Sequence, residues 1–136
     1  MIVVRKERIY NIDVYTFKST NGTPYQLTFE LNDSGRYHDI SLVNLTGQSD
    51  SKYCPELRTT ISEIIFDFLL EKKCVLYFNV EYGSKNKLRL IFKFLRWIRL
   101  EKRVSASIEL TKVVDLEFLE LKIKLAPDFI RQIKVN

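Results

Sequence analysis

Basic side chains at helical spacing are the residues of this sequence best suited to a chemical role. Six cations follow one another at intervals of three or four positions: Lys85, Arg89, Lys93, Arg96, Arg99 and Arg103. We call these six residues the basic stripe. This spacing places them along one face of an α-helix. A face of this kind can bind the phosphates of nucleic acid, an acidic protein surface or a phosphorylated small molecule.

The positive charge of the chain is concentrated in the segment that carries the basic stripe. Residues 85–103 contain eight basic side chains and one acidic one, a net charge of +7, whereas the whole chain of 136 residues carries +5. Aromatic residues nearby, Tyr82 and Trp97, are candidates for stacking on bases. A purely structural alternative is an outer helix face whose cations pair with acids of the preceding helix: Glu56, Glu63, Asp67 and Glu71. Surface pairs of this kind contribute about 0–1 kcal/mol each.

Other kinds of functional site find little support in the sequence. His38, Cys54 and Cys74 are the only histidine and cysteines, too few for a structural zinc site. No spacing fixes a histidine–cysteine catalytic pair among them. The four glycines fall in turns or loops, and no phosphate-binding glycine loop is present. The sequence therefore indicates no metal, no cofactor and no catalytic residue.

Hydrophobic periodicity predicts a single α+β domain over residues 1–136. Residues 12–46 alternate as three antiparallel strands, with Asn21-Gly22 at the first turn and residues 32–35 at the second. An apolar run at 74–80 predicts a central strand, and strands are also expected at 104–110 and 116–125. The expected sheet has about six strands, in the order β-β-β-α-β-α-β-β-α, and two main helices pack against it together with a short C-terminal helix.

Three segments of the sequence predict the helices. Pro55 and Glu56 mark the start of the first helix, and Ser84 is a good N-cap for the second, the basic one. The core side of the basic helix is expected at five apolar positions: Leu88, Ile91, Phe92, Leu95 and Ile98. A short terminal helix after Pro127 is expected to point Phe129, Ile130 and Ile133 inward.

Several motifs of the chain resemble those of a family of small bacterial proteins of unknown function, found mostly in Bacteroidetes-type bacteria. The resemblance rests on the string Thr59-Thr60-Ile61-x-x-Ile64-Ile65-x-x-Phe68, the tyrosine strand with its Gly83 turn, the Arg/Phe/Trp helix and the ending Lys124-Leu125-Ala126-Pro127. The sequence departs from the family at Tyr82-Gly83-Ser84, where an acidic turn rich in Ser and Asp is expected. The resemblance supports the order of elements and implies no chemistry.

A binding module is the main functional expectation from these residues. In it the basic stripe contacts an acidic partner, either nucleic acid or a protein of a toxin–antitoxin or defence pair. The alternatives are a small enzyme acting on a phosphorylated or nucleotide substrate, clamped by Arg89, Lys93 or Arg96, and a purely self-associating protein. A cytoplasmic location without membrane contact is expected, because the apolar stretches are too short to span a bilayer.

Overall fold

A computed structural model of the chain describes residues 2–32, 35, 37–45, 55–81, 85–113 and 116–135. It contains ten elements, seven strands and three helices, within these ranges. In chain order they are β1 (Val4–Ile9), β2 (Ile12–Lys18), β3 (Pro24–Leu31), β4 (His38–Asn44), α1 (Pro55–Lys72), β5 (Leu76–Glu81), α2 (Lys85–Arg99), β6 (Val104–Val113), β7 (Leu116–Leu125) and α3 (Pro127–Val135).

All seven strands form one sheet, in the spatial order β1-β2-β3-β4-β5-β7-β6. Every neighbouring pair is antiparallel except β4 and β5, which are parallel. The α+β class, the mostly antiparallel sheet, the three-stranded meander and the internal position of the strand near 74–80 are therefore confirmed. The predicted count of about six strands is wrong, and the observed order is β-β-β-β-α-β-α-β-β-α.

The strand that the sequence did not predict is β1, at one edge of the sheet. All six of its side chains are exposed, so it lacks the apolar alternation by which a half-buried strand is recognised. It pairs with β2 through a tight connection in which Tyr10 has a φ of 57°. Charged residues on an exposed edge strand disfavour pairing with other chains, and four of the six residues of β1 are charged.

One face of the sheet carries the core. Along β3, Tyr25, Leu27 and Phe29 are buried, whereas Gln26 and Thr28 on the opposite face are half-buried. Helices α1 and α2 contact each other, and both contact β7. The connections from β4 to β5 and from β5 to β6 both run in the same direction across the sheet. Because such crossovers are right-handed, both helices are expected on one face of the sheet, which is the core face. We call the opposite face, which carries Thr28 and Asp39, the open face.

Local turn signals in the sequence correspond to the observed turns. Gly22 has a φ of +87°, a conformation that glycine adopts without strain, and its N–H donates to the Ser19 carbonyl at 2.9 Å. At the second turn, the Gly35 N–H donates to the Asn32 carbonyl at 2.8 Å. Helix α1 begins at Pro55, as predicted. The predicted Ser84 cap lies outside the described residues.

Helix α2 buries a different set of residues from the predicted one. Leu95 and Ile98 are buried as expected, but Phe92 is 49% exposed. Trp97, expected to be available for stacking, is only 7% exposed and belongs to the core. Because α2 packs beside α1 on the sheet, its side facing α1 is buried in part as well. The side chains of Leu88 and Ile91 lie outside the described part of the chain.

Helix α3 is attached to the core at one residue. Phe129 is half-buried and meets the ring of Phe66 edge-to-face, with a centroid distance of 5.4 Å. The prediction that Ile130 and Ile133 point inward is wrong, because they are 36% and 46% exposed. Within its described part the helix contacts the core through Phe129, which leaves Ile130 and Ile133 open to solvent. No helix in the described ranges is long and apolar enough to cross a membrane.

The single histidine is packed beneath α1. The His38 ring lies edge-on to Phe68, with centroids 5.0 Å apart, and its buried Nδ1 has no hydrogen-bond partner within the described residues. Burial lowers the pKa of His38, and the charges of Lys72 and Arg8 add to that effect, while Asp13 partly offsets it. The folded protein therefore favours the neutral imidazole.

We expect this histidine to make the protein less stable in mild acid. An unfolded chain protonates His38 near its ordinary pKa of about 6.5, whereas the folded chain resists protonation, so the free energy of unfolding falls as the pH drops from about 7 toward 5. Urea unfolding of the wild type and of His38→Leu at both pH values measures the effect. The pH-dependent loss is expected to be smaller in His38→Leu; an equal loss in both proteins contradicts it.

Candidate functional site

The parallel pair β4 and β5 separates almost as soon as it forms. Its ladder contains two positions, His38 opposite Leu76 and Asp39 opposite Tyr77. Beyond these, residues 40–44 of β4 pair with β3 alone, and residues 78–81 of β5 pair with β7 alone. The sheet is thus open between the carboxyl ends of two parallel strands. Such openings are where α/β sheets commonly bind ligands.

Both main helices begin beyond this opening. Helix α1 follows the carboxyl end of β4, and α2 follows the carboxyl end of β5. The amino-terminal end of each helix carries the positive end of the helix dipole. Phosphate groups are stabilised in such surroundings, particularly when arginine side chains are nearby.

A cleft of about 650 Å³ lies between the first turns of α1 and the length of α2. Its lining consists of four cations and three apolar side chains: Arg58, Arg89, Lys93, Arg96, Phe92, Trp97 and Leu100. Among the residues that the structure describes, no acidic one lines it. The Lys93 ammonium lies over the Trp97 ring at 5.0 Å from the centroid, a cation–π contact. This combination of charge and aromatic surface suits a phosphorylated ligand that also carries a base.

Three members of the basic stripe meet in this cleft. Arg89, Lys93 and Arg96 line it, whereas Arg99 is exposed on the same helix outside it. The side chain of Lys85, the first residue of α2, lies outside the described part of the chain. Within the described ranges, no ion pair is seen for Arg89 or Arg96, so their charges face solvent and the cleft.

Arg103, the last member of the stripe, has structural partners. Its Nε donates to Glu101 at 2.7 Å, its Nη2 donates to Glu63 of α1 at 2.9 Å, and its guanidinium carbon lies 3.7 Å from the centroid of the Phe66 ring. The hydrogen bond to Arg103 lowers the pKa of Glu101, with partial opposition from burial. Arg103 thus joins the start of β6 to α1.

Pairing between the two charged helices is therefore limited. Of the acidic residues on α1, Glu63 pairs with Arg103, and Glu71 pairs with Lys6 of β1 at 3.5 Å. Burial raises the pKa of Asp67, and the neighbouring charge of Glu63 adds to it. The structural alternative, in which acids of α1 pair with the basic stripe, therefore holds for Arg103, which lies beyond the end of α2. Among the described residues, it does not hold for Arg89, Lys93 and Arg96, the three cations of the cleft.

The open face is acidic where β4 and β5 separate. Asp39 occupies the last paired position, beside Tyr77 and directly opposite Glu30 on β3. Burial raises the pKa of Asp39, and the charge of Glu30 raises it further. The Tyr77 ring contacts Tyr37 edge-to-face at 4.6 Å. Burial also raises the pKa of Glu120 on β7, with contributions from Glu109 and Asp39.

Two residues of this region were not selected from the sequence. Arg58 is one of two cations on a helix whose exposed residues are mostly acidic, and its position one turn after Pro55 was the available signal. Asp39 flanks the second predicted turn, and its place beside Tyr77 depends on the pairing of β4 with β5. Across the described residues, no cluster of His, Cys, Asp and Glu could hold a metal ion.

Comparisons with known proteins give a fold relationship. The sequence matches no protein-family profile and no curated protein. Among solved structures, the fold is similar to that of a chimera of the spermidine N-acetyltransferase SpeG from Vibrio cholerae and hSSAT. The TM-score is 0.51 at 9% sequence identity, over 88% of this chain and 70% of that chain. At this identity the likeness is one of fold alone.

This fold contradicts the main functional prediction. We expected a nonenzymatic module that binds nucleic acid or a partner protein, but the similar structure is an enzyme that acts on a small molecule. The prediction failed because a basic helix has the same sequence pattern whether it faces a macromolecule or lines a cleft. The alternative of a small enzyme acting on a phosphorylated or nucleotide substrate fits the fold better.

Proposed function

We propose that the protein is a small acyltransferase, which moves an acyl group from a phosphorylated, nucleotide-bearing thioester to an amine. The observation that carries this proposal is the cleft lined by Arg58, Arg89 and Arg96. A parallel strand pair that opens after two positions supports it. The reaction class comes from the similar structure, which is a spermidine N-acetyltransferase chimera. A cytoplasmic location belongs to the proposal, in agreement with the free thiol of Cys74.

The cleft fits an acyl-coenzyme A as the donor substrate. Such a donor carries several phosphates and an adenine base, and when bound it supplies an activated acyl thioester. Arg89 and Arg96 are exposed along α2, with Arg58 facing them from α1, and arginine is well suited to phosphate. The half-exposed Phe92 ring offers a face on which a base can stack.

The acidic open face fits an amine acceptor. An amine is protonated near neutral pH and must lose a proton before it can attack a carbonyl carbon. Asp39 lies at the last paired position of β4 and β5, and its raised pKa makes it a better proton acceptor than an ordinary carboxylate. Negative charge at Glu30 and Glu120 favours the approach of a cationic substrate. We assign Asp39 the role of general base.

Acetyl transfer can be measured directly with purified protein. Acetyl-coenzyme A and a set of amines that includes spermidine, lysine and a monoamine are incubated with the protein, and acetylated products are quantified by mass spectrometry. We expect product that depends on both protein and amine. Calorimetric titration with acetyl-coenzyme A tests the donor site separately. Absence of saturable donor binding would refute the proposal, whereas binding without transfer would direct the search to other acceptors.

Replacing Asp39 is expected to lower the activity of the protein without lowering its stability. General bases contribute about 10²- to 10⁴-fold, so Asp39→Asn should lower kcat/KM about 100-fold or more. In the wild type, activity should fall as the pH drops through the raised pKa of Asp39, because the protonated carboxyl cannot accept a proton. Removing the repulsion with Glu30 should leave the free energy of unfolding unchanged or raise it by about 0.2–1 kcal/mol.

Glu30→Gln is the matched control for this variant. It removes the same repulsion from the other strand, so it should give a similar gain in stability while keeping most of the activity. It should also shift the acidic limb of the pH profile to lower pH, because the charge of Glu30 helps to raise the pKa of Asp39. Equal losses of kcat/KM in Asp39→Asn and Glu30→Gln would show that Asp39 is not the general base.

A further inference from the structure

A second cavity lies away from the basic cleft, between the end of α1, the start of β5, the end of β7 and helix α3. Its volume is about 400 Å³, and its walls include five apolar side chains: Leu70, Val75, Leu125, Ile130 and Ile133. Two lysines, Lys73 and Lys124, also line it, and none of the described residues in the lining is acidic. The thiol of Cys74 completes the lining.

The apolar walls of this cavity are open to solvent. Leu70, Ile130 and Ile133 are 39%, 36% and 46% exposed. Helix α3 is attached to α1 through Phe129, which leaves its isoleucines facing the cavity and not the core. Exposed apolar surface that forms a concave wall is typical of a binding site for an apolar group.

Lys73 occupies a backbone position that favours glycine. Its φ is 51°, in the left-handed region, and its N–H donates to the Leu69 carbonyl at 2.8 Å, which ends α1. Glycine is the residue usually found at such helix ends, because any Cβ there is unfavourable. The chain has a lysine at this position, at some cost in stability, and that lysine lines the cavity.

We propose that this cavity binds a linear amphiphile with a carboxylate head, a medium-chain fatty carboxylate. The alkyl chain lies against Leu70, Ile130 and Ile133, and the carboxylate lies between Lys73 and Lys124. Charge complementarity selects this occupant, since the described part of the lining carries two cations and no acid. Burial raises the pKa of Cys74 to about 11, so the thiol adds no negative charge at neutral pH. The proposal is independent of the acyltransferase activity, because it uses a different cavity.

A homologous series of ligands tests the apolar part of the site. Calorimetric titrations use octanoate, decanoate and dodecanoate below their micellar concentrations, with decanol and decyltrimethylammonium as head-group controls. Affinity should rise about fourfold for each added methylene until the chain fills the cavity, and then level off. Decanoate should bind several-fold more tightly than decanol, and the cationic amphiphile should bind least. Equal affinity for all three ten-carbon head groups would overturn the proposal.

The lysine variants test the charged part without unfolding the protein. Lys73→Gly relieves the left-handed strain, so the variant should be at least as stable as the wild type. Loss of one exposed ion pair weakens affinity about 1.5- to 5-fold. The double variant Lys73→Gly, Lys124→Gln loses two such pairs, so it should bind decanoate about 2- to 25-fold more weakly. Decanol binding should not change. An unchanged affinity for decanoate would overturn the proposal.

Alkylation of Cys74 reports on the location of the ligand. In a Cys54→Ser background, decanoate should slow the reaction of Cys74 with N-ethylmaleimide in proportion to occupancy. Binding that leaves the alkylation rate unchanged would place the ligand elsewhere and overturn the proposal. Sedimentation at several protein concentrations completes the test, since protection of Cys74 by dimerisation without ligand would identify a second copy of the chain as the occupant.

Discussion

Replacing Arg89 and Arg96 together with glutamine is expected to weaken acetyl-coenzyme A binding about 100-fold, with no loss of stability. Each arginine can donate charge-assisted hydrogen bonds to phosphate, and such a bond contributes about 1.5–3 kcal/mol. Because both side chains are exposed on α2, the lower end of that range applies to each. Calorimetric titration gives the dissociation constants, and urea unfolding gives the stability.

Arg99→Gln is the matched control for this double variant. Arg99 lies on the same helix and is equally exposed, but it does not line the cleft. The substitution changes the net charge of α2 in the same way and should reduce donor affinity by less than about threefold, through long-range charge alone. If Arg99→Gln weakens donor binding as much per charge removed as the Arg89 and Arg96 double variant does, the basic helix acts as a diffuse positive surface. The cleft is then not the donor site.

Phe68→Ala is expected to cause the largest loss of stability, about 3–5 kcal/mol. Phe68 is fully buried, its ring stacks on Phe29 with centroids 4.0 Å apart, and the His38 ring meets it edge-on. Removal of the ring leaves a cavity between α1 and the centre of the sheet. Domains of this size are stable by about 5–15 kcal/mol, so the variant should unfold at much lower urea concentration.

Phe92→Ala provides the comparison for that loss. The same ring is removed from a half-exposed position on α2, so the free energy of unfolding should fall by less than about 1 kcal/mol. Circular dichroism during urea unfolding measures both variants. Similar losses in the free energy of unfolding from Phe68→Ala and Phe92→Ala would contradict the placement of the core between α1 and strands β2 to β4.

Much of the fold was predictable because it depends on short-range patterns. The alternation of Tyr25, Leu27 and Phe29 with polar residues marks β3, and Asn21-Gly22 marks the turn before it. Pro55 marks the first residue of α1. In each case the residues that determine the element are neighbours in the chain, so their pattern is visible without the rest of the molecule.

Strand β1 was not predictable from the same patterns. Its six residues are exposed and largely charged, so no apolar alternation separates it from a loop. Its conformation depends on hydrogen bonds to β2, formed from Val4 opposite Phe17 to Ile9 opposite Ile12. Trp97 is a similar case, since its burial depends on how α2 sits against α1 and the sheet.

By itself, the sequence determined the class of the fold, most element boundaries and the concentration of positive charge on α2. Only the tertiary structure decided which of those positively charged side chains line the same cleft. Arg58 meets Arg89 and Arg96 because two helices pack side by side, while Arg103 is engaged by Glu101 and Glu63. The opening beside Asp39 depends on where the parallel ladder of β4 and β5 ends. These are contacts between residues distant in the chain, and a local pattern cannot specify a distant partner.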